Sequence, residues 1–140
     1  MGAYHFYRPY VSWRLQLQNF TNVVKAEDQD LVPMIDIERY EGPASEFVDN
    51  LKKFIEAVEE YYGCRPLLYT YQNFYNQHLQ YAFKDYHFMI AAYGGYEPVL
   101  KDGKTYIMWQ YTQSARLSGI RGNVDRSRIM PGFNLKQLQM

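Results

Sequence analysis

Two carboxylates one residue apart, Asp36 and Glu38, carry the clearest chemical signal in this 140-residue chain. Alternate side chains of an extended strand share a face, so Met34, Asp36 and Glu38 point one way and Ile35 and Ile37 the other. Two acids about 6.5 Å apart by strand rise oppose each other's charge, so one should hold its proton near neutral pH. A proton donor beside an anion is the pair that cleavage of a glycosidic bond uses. The alternative is a surface D-x-E paired with Lys or Arg. A third acid, Asp125, follows Gly122-Asn123-Val124 and either reaches the same place from a last strand or serves as a turn or cap residue. His5, His87, Asp36 and Glu38 are metal-ligating types. No two of the three histidines (His5, His78, His87) have a metal-binding helical spacing, so no metal and no other cofactor is expected. There is no G-x-S-x-G, phosphate loop or dinucleotide fingerprint. Cys64 follows a helix end and reads as a small buried hydrophobe.

Aromatic residues are the second signal: 15 Tyr, 8 Phe and 2 Trp. Tyrosine offers an apolar face and a polar tip, which suits a sugar ring with its apolar C–H faces and rim of hydroxyls. Tyr69, Tyr71, Tyr93 and Tyr111 all fall near predicted strand ends, and Trp109-Gln110-Tyr111 closes one strand. Converging on one rim, they would form a sugar-stacking cleft; otherwise they line a core and its edge. A lone His5 between aromatics is more often a hydrogen-bonded core residue than a ligand.

The elements that must position these groups alternate short apolar runs with longer helical patterns, the rhythm of β/α units around a parallel sheet. Strands are expected at 2–7, 32–38, 67–71, 88–93, 105–111 and, more weakly, 123–129. Helices are expected at 13–25, 46–62 and 74–81, with a helical remnant after Pro131. The second helix has the strongest pattern: Phe47, Val48, Leu51, Phe54, Ile55, Val58 and Tyr61 recur at helical spacing before Gly63. Six strands fall short of the eight of a closed β/α barrel, and free sheet edges invite pairing with another copy.

Composition narrows the function classes. Lys+Arg and Asp+Glu both number 15, for zero formal net charge, which disfavours binding driven by nucleic-acid or membrane-surface charge. A single cysteine excludes an intrachain disulfide framework. No window approaches the roughly 18 apolar residues of a membrane span, and Met1 to His5 lack a secretion signal.

Taken in order, the segments resemble the glycoside hydrolase family 25 lysozymes, the Chalaropsis-type muramidases. Gly2-Ala3-Tyr4-His5-Phe6-Tyr7-Arg8 resembles that family's G-x-Y-H-F-x-R strand, and Leu17 to Val24 its next helix. Val32-Pro33-Met34-Ile35-Asp36-Ile37-Glu38 resembles P-x-x-D-x-E. Arg65-Pro66-Leu67-Leu68-Tyr69-Thr70 resembles P-x-x-Y-[TS], and Ile90-Ala91-Ala92-Tyr93 the W-x-A-x-Y strand. Trp109-Gln110-Tyr111-Thr112, Gly119-Ile120 and Val124-Asp125 resemble the W-Q-Y-T…G…V-D ending.

The resemblance implies an α/β fold, an irregular TIM-like (β/α) barrel, and cleavage of the β-1,4 bond between N-acetylmuramic acid and N-acetylglucosamine in peptidoglycan. It implies Glu38 as general acid, Asp36 as the neighbouring carboxylate that stabilises positive charge or positions the N-acetyl group, and Asp125 as a third catalytic acid. Tyr4, His5, Tyr69, Tyr71, Tyr93, Trp109, Gln110 and Tyr111 become the substrate-binding candidates. The partner would be the glycan strands of peptidoglycan, and the location extracellular or at the cell envelope. The family's first two strands, one carrying an Asp-x-Ser motif, have no counterpart, so residues 1–140 are expected to form a partial catalytic domain and an incomplete barrel. Met89 stands where the family usually has Trp, and Ser127 where Asn is common. Two other functions remain open: a sugar-binding fragment with impaired catalysis, and a metal-dependent sugar deacetylase.

Overall fold

A computed structural model describes residues 3–25, 31–93, 95–115 and 124–139, with side chains at all of these except 112–115, 124–127 and 135. The element order is β1 (Tyr4–Phe6), α1 (Trp13–Val23), β2 (Met34–Asp36), α2 (Ala44–Tyr62), β3 (Leu67–Tyr71), α3 (Gln72–Phe74), β4 (Phe88–Ala91), β5 (Met108–Ala115) and β6 (Val124–Ile129). The short α3 runs on into a π-helical turn, Tyr75–Leu79, and a 3-10 turn, Leu135–Leu138, follows β6.

The six strands form one sheet in chain order, parallel from β1 to β5, with β6 antiparallel to β5. Among the described residues nothing pairs β6 back to β1, so the expected TIM-like architecture is seen as a mixed α/β fold with an open sheet. The second strand is shorter than 32–38 because Pro33 has no N–H to give the ladder. One further bond, Ile37 N–H to the Tyr69 carbonyl at 2.8 Å, extends it towards Glu38.

Strand alternation sorts the side chains onto two faces. Ile35, Ile37, Leu68, Phe88 and Ile90 pack with Phe20 of α1 and with Phe47, Leu51, Phe54, Ile55 and Val58 of α2. Helix α2 stops at Gly63, whose φ of +70° is a left-handed conformation that glycine adopts without strain. A buried polar residue fixes the turn from β1 into α1. The Gln16 amide donates to the carbonyls of Arg8 (2.7 Å) and Val11 (3.0 Å) and accepts from the Arg8 N–H (2.9 Å).

The opposite face carries a smaller apolar cluster of Val32, Leu67, Tyr69, Met89, Ala91, Ile107 and Leu138. The segment after Pro131 forms a 3-10 turn with an Asn134 capping box rather than an α-helix. It covers the amino-terminal end of this face: Leu138 is buried there, and its carbonyl accepts the Val32 N–H at 2.7 Å. A cavity of about 280 Å³ remains between Tyr4, Met34, Met89, Met108 and Leu138.

Candidate active site

Cross-strand register puts Phe6, Asp36, Tyr69, Met89 and Met108 in one row across β1 to β5. The row above it, nearer the carboxyl ends of the parallel strands, holds Tyr71, Ala91 and Gln110. Loops at these ends are where β/α enzymes place their chemistry. The side chains project away from the helices, into a trough whose floor is the apolar cluster around Met89 and Leu138.

Tyrosines and one amide wall the trough. Gln110 is buried, and its Oε1 accepts hydrogen bonds from the hydroxyls of Tyr69 and of Tyr93, the latter at 2.8 Å. The Tyr69 and Tyr71 rings lie 6.1 Å apart and the Tyr71 and Tyr93 rings 6.0 Å apart, both edge to face. Burial, then the Glu38 charge and hydrogen bonding to Glu38 and Tyr93, push the Tyr71 hydroxyl up to about 12. Burial, bonding to Tyr93 and, more weakly, the Glu38 charge raise Tyr69 as well. Glu38 therefore lies within electrostatic reach of both rings.

Asp36 is 5% exposed, and its Oδ1 is buried with no hydrogen-bond partner among the described residues. Burial first, and then the Glu38 carboxyl beside it, raise Asp36 from 3.8 to about 8. A carboxyl in an apolar pocket next to a second carboxyl keeps its proton because ionising it would place two negative charges in poor solvent. At neutral pH burial and the neighbouring carboxyl therefore keep a proton on Asp36, the less exposed of the two acids.

The other candidates separate by strand parity. Tyr4 shares the face of Asp36 but pairs with Met34, one row closer to the amino ends, and borders the apolar cavity. His5 faces the helices: its ring lies 5.4 Å from Phe20 and 5.2 Å from Phe54, and its Nε2 meets Gln16 Oε1 at 3.0 Å. Burial lowers its pKa, the Gln16 bond opposes this, and Arg8 adds a further lowering. Trp109 also packs in the helix-side core, with Nε1 donating to the Ala92 carbonyl at 2.9 Å. Tyr111 packs beside it at 5.5 Å. His5, Trp109 and Tyr111 are thus not brought together with the carboxylates, because each occupies the opposite phase of its strand. Met89 lies on the trough face, in the floor. Asp125 lies on β6, but its side chain, like that of Ser127, is outside the described residues, as are Gly119, Ile120, Gly122 and Asn123.

Among the described residues no three His, Cys, Asp or Glu side chains gather to hold a metal. Two residues that the sequence pattern did not single out border the acids. Phe6 pairs with Asp36 in the β1–β2 register, and Arg39 follows Glu38 and reaches back over the Phe6 ring. Phe6 was open to inference from strand alternation, whereas Arg39 lies beyond the strand, where alternation no longer predicts direction.

Comparison with known proteins bears on the family and the fold. Residues 1–120 match the model of "Glycosyl hydrolases family 25". The chain is 30% identical over 125 residues to the Escherichia coli K12 protein YegX, covering 89% of this chain and 46% of that one. It is 29% identical over 134 residues to an autolytic lysozyme of Clostridium acetobutylicum, covering 95% and 40% respectively. Among solved structures, the spore cortex lytic enzyme SleM of Clostridium perfringens superposes with a TM-score of 0.82 at 25% identity, over 99% of this chain and 51% of that one. The chain spans about half the length of these relatives.

Proposed function

Because the chain belongs to glycosyl hydrolase family 25, we propose that it acts on peptidoglycan as an N-acetylmuramidase, hydrolysing the β-1,4 bond between N-acetylmuramic acid and N-acetylglucosamine. The observation that carries this reading is the buried Asp36, its carboxyl pushed up to about 8 beside Glu38, in a tyrosine-walled trough. Residues 1–140 are read as one glycosidase-type domain. The glycan strand lies along the trough, with Tyr71 and Tyr93 against its apolar sugar faces and Gln110 fixing the hydroxyls of Tyr69 and Tyr93. Tyr4 extends the same face, while His5, Trp109 and Tyr111 support it from behind.

Glu38, the more exposed acid, meets the glycosidic oxygen. The proton passes from Asp36 through Glu38 to the leaving oxygen. The C–O bond breaks with its electron pair going to that oxygen. Asp36, now ionised, faces the positive charge that develops on the sugar ring, and Asp125 on β6 is the third acid. Water then bonds to the anomeric carbon and gives its proton back to the carboxylate pair, which restores the starting state. Substrate of this kind places the reaction outside the cell or at its envelope, and among the described residues no helix is long and apolar enough to cross a membrane.

The test is release of reducing ends from purified peptidoglycan by the 140-residue chain and its Glu38→Gln variant. Loss of a positioned general acid should reduce turnover about 100-fold or more, with muropeptide binding retained. Equal turnover by both proteins would overturn the role of Glu38. The open sheet favours one second reading, glycan binding without turnover. It predicts muropeptide binding by both proteins and reducing-end release by neither.

A further inference from the structure

The trough as described so far contains acids, hydroxyls and an amide, yet peptidoglycan is an anionic polymer. Its muramic acid bears a lactyl ether carbon chain, and the peptide stems attached there end in free carboxylates. Specific capture of such a strand calls for a cation at the flank of the cleft.

Arg39 has that placement. It follows Glu38 in the chain and is exposed. Its guanidinium carbon lies 5.8 Å from the centroid of the Phe6 ring, within the range where a cation is attracted to an aromatic face. Phe6 is the register partner of Asp36. The guanidinium therefore lies on the β1 side of the acids, over an aromatic ring. Among the described residues no carboxylate forms an ion pair with it; the ion pairs there are Arg65–Glu59 and Arg128–Glu97. With zero net charge on the whole chain, attraction of an anionic strand has to come from local groups of this kind and not from a long-range field.

We infer that Arg39, seated on Phe6, is a specificity-determining residue that receives carboxylate substituents of the glycan strand beside the cleavage site. This rests on the glycan-binding reading of the same trough. The planar fork matches a carboxylate with two parallel N–H donors, and the ring beneath it limits the orientations it must give up on binding.

The experiment is calorimetric titration of the full chain with two probes: chitotetraose, which has no carboxylate, and a muramic-acid-containing tetrasaccharide with free tetrapeptide stems. Arg39→Gln should weaken the acidic probe about five-fold, as expected for one partly solvated charge-assisted contact, and change chitotetraose less than two-fold. Arg39→Lys, keeping the charge without the fork, should recover part of the loss. Equal weakening of both probes, or no change in either, overturns the inference while the glycan reading stands. Absence of wild-type binding to both probes overturns the two together.

Discussion

The proton held on Asp36 has a consequence for stability that one substitution isolates. The unfolded chain releases this proton near 3.8, whereas the native carboxyl keeps it to about 8 because of burial and the adjacent Glu38. Over that window the native state binds more protons than the unfolded state, so the Asp36 contribution to stability falls as pH rises. At about 1.4 kcal/mol per pH unit, the accumulated penalty at pH 7 has a ceiling of roughly 4 kcal/mol. Relaxation and water entering the open trough raise the effective dielectric, which brings the expected value to roughly 1–3 kcal/mol. Asp36→Asn keeps the shape and the donor of the protonated acid without the cost of ionising it. The variant should therefore melt higher than the parent by about 3–15 °C at pH 7, given about 3–5 °C per kcal/mol for a domain of this size. The gap should close by about pH 4. Groups with shifted pKa values elsewhere, such as His5, are common to both proteins and cancel in the difference. Calorimetric melting of the pair from pH 4 to pH 8 is the assay. An Asn variant that melts at or below the parent throughout, with a parallel pH profile, would show that Asp36 is ionised in the native state and refute the reasoning.

Other outcomes follow from the same geometry. Hydrolysis needs one proton on the Asp36/Glu38 pair, so initial rates should hold through neutrality and fall about ten-fold per pH unit above about 8; a rate that rises through that range would contradict the pair as proton source. Gln16→Ala removes three bonds to the backbone of residues 8 and 11 and should cost roughly 2–3 kcal/mol in denaturant unfolding; a loss under roughly 0.5 kcal/mol would show that water replaces the side chain. Among the described residues no strand pairs with the outer edges of β1 and β6, which favours association of copies; sedimentation should show dimers or larger species at high concentration, and a monomer throughout would count against it.

Much of the scaffold could be read from residue order. The spacing of Phe47, Leu51, Phe54, Ile55 and Val58 announces one buried helix face, and that helix is α2. All six strands were expected, with boundaries displaced where Pro33 shortens β2 and where β5 runs on to Ala115. Alternation in Met34-Ile35-Asp36-Ile37 separated the acid from the isoleucines, and the two core clusters preserve that separation. The ordered motifs were enough to indicate the family. His5, Trp109 and Tyr111 were the places where motif membership and strand phase disagreed, and in the structure phase decides which way they face.

What the sequence determined by itself, then, is local: which residues share a face, that α2 stops at Gly63, and that two acids stand side by side. Their unequal character was decided only by the folded chain, because a proton's affinity depends on groups distant in sequence. Burial among neighbouring strands places the proton on Asp36, Tyr69 and Tyr93 converge on Gln110 from separate strands, and the chain's final turn covers the trough floor at Leu138. Periodicity sets direction along one element, whereas solvent exclusion is a property of all the elements packed around a site.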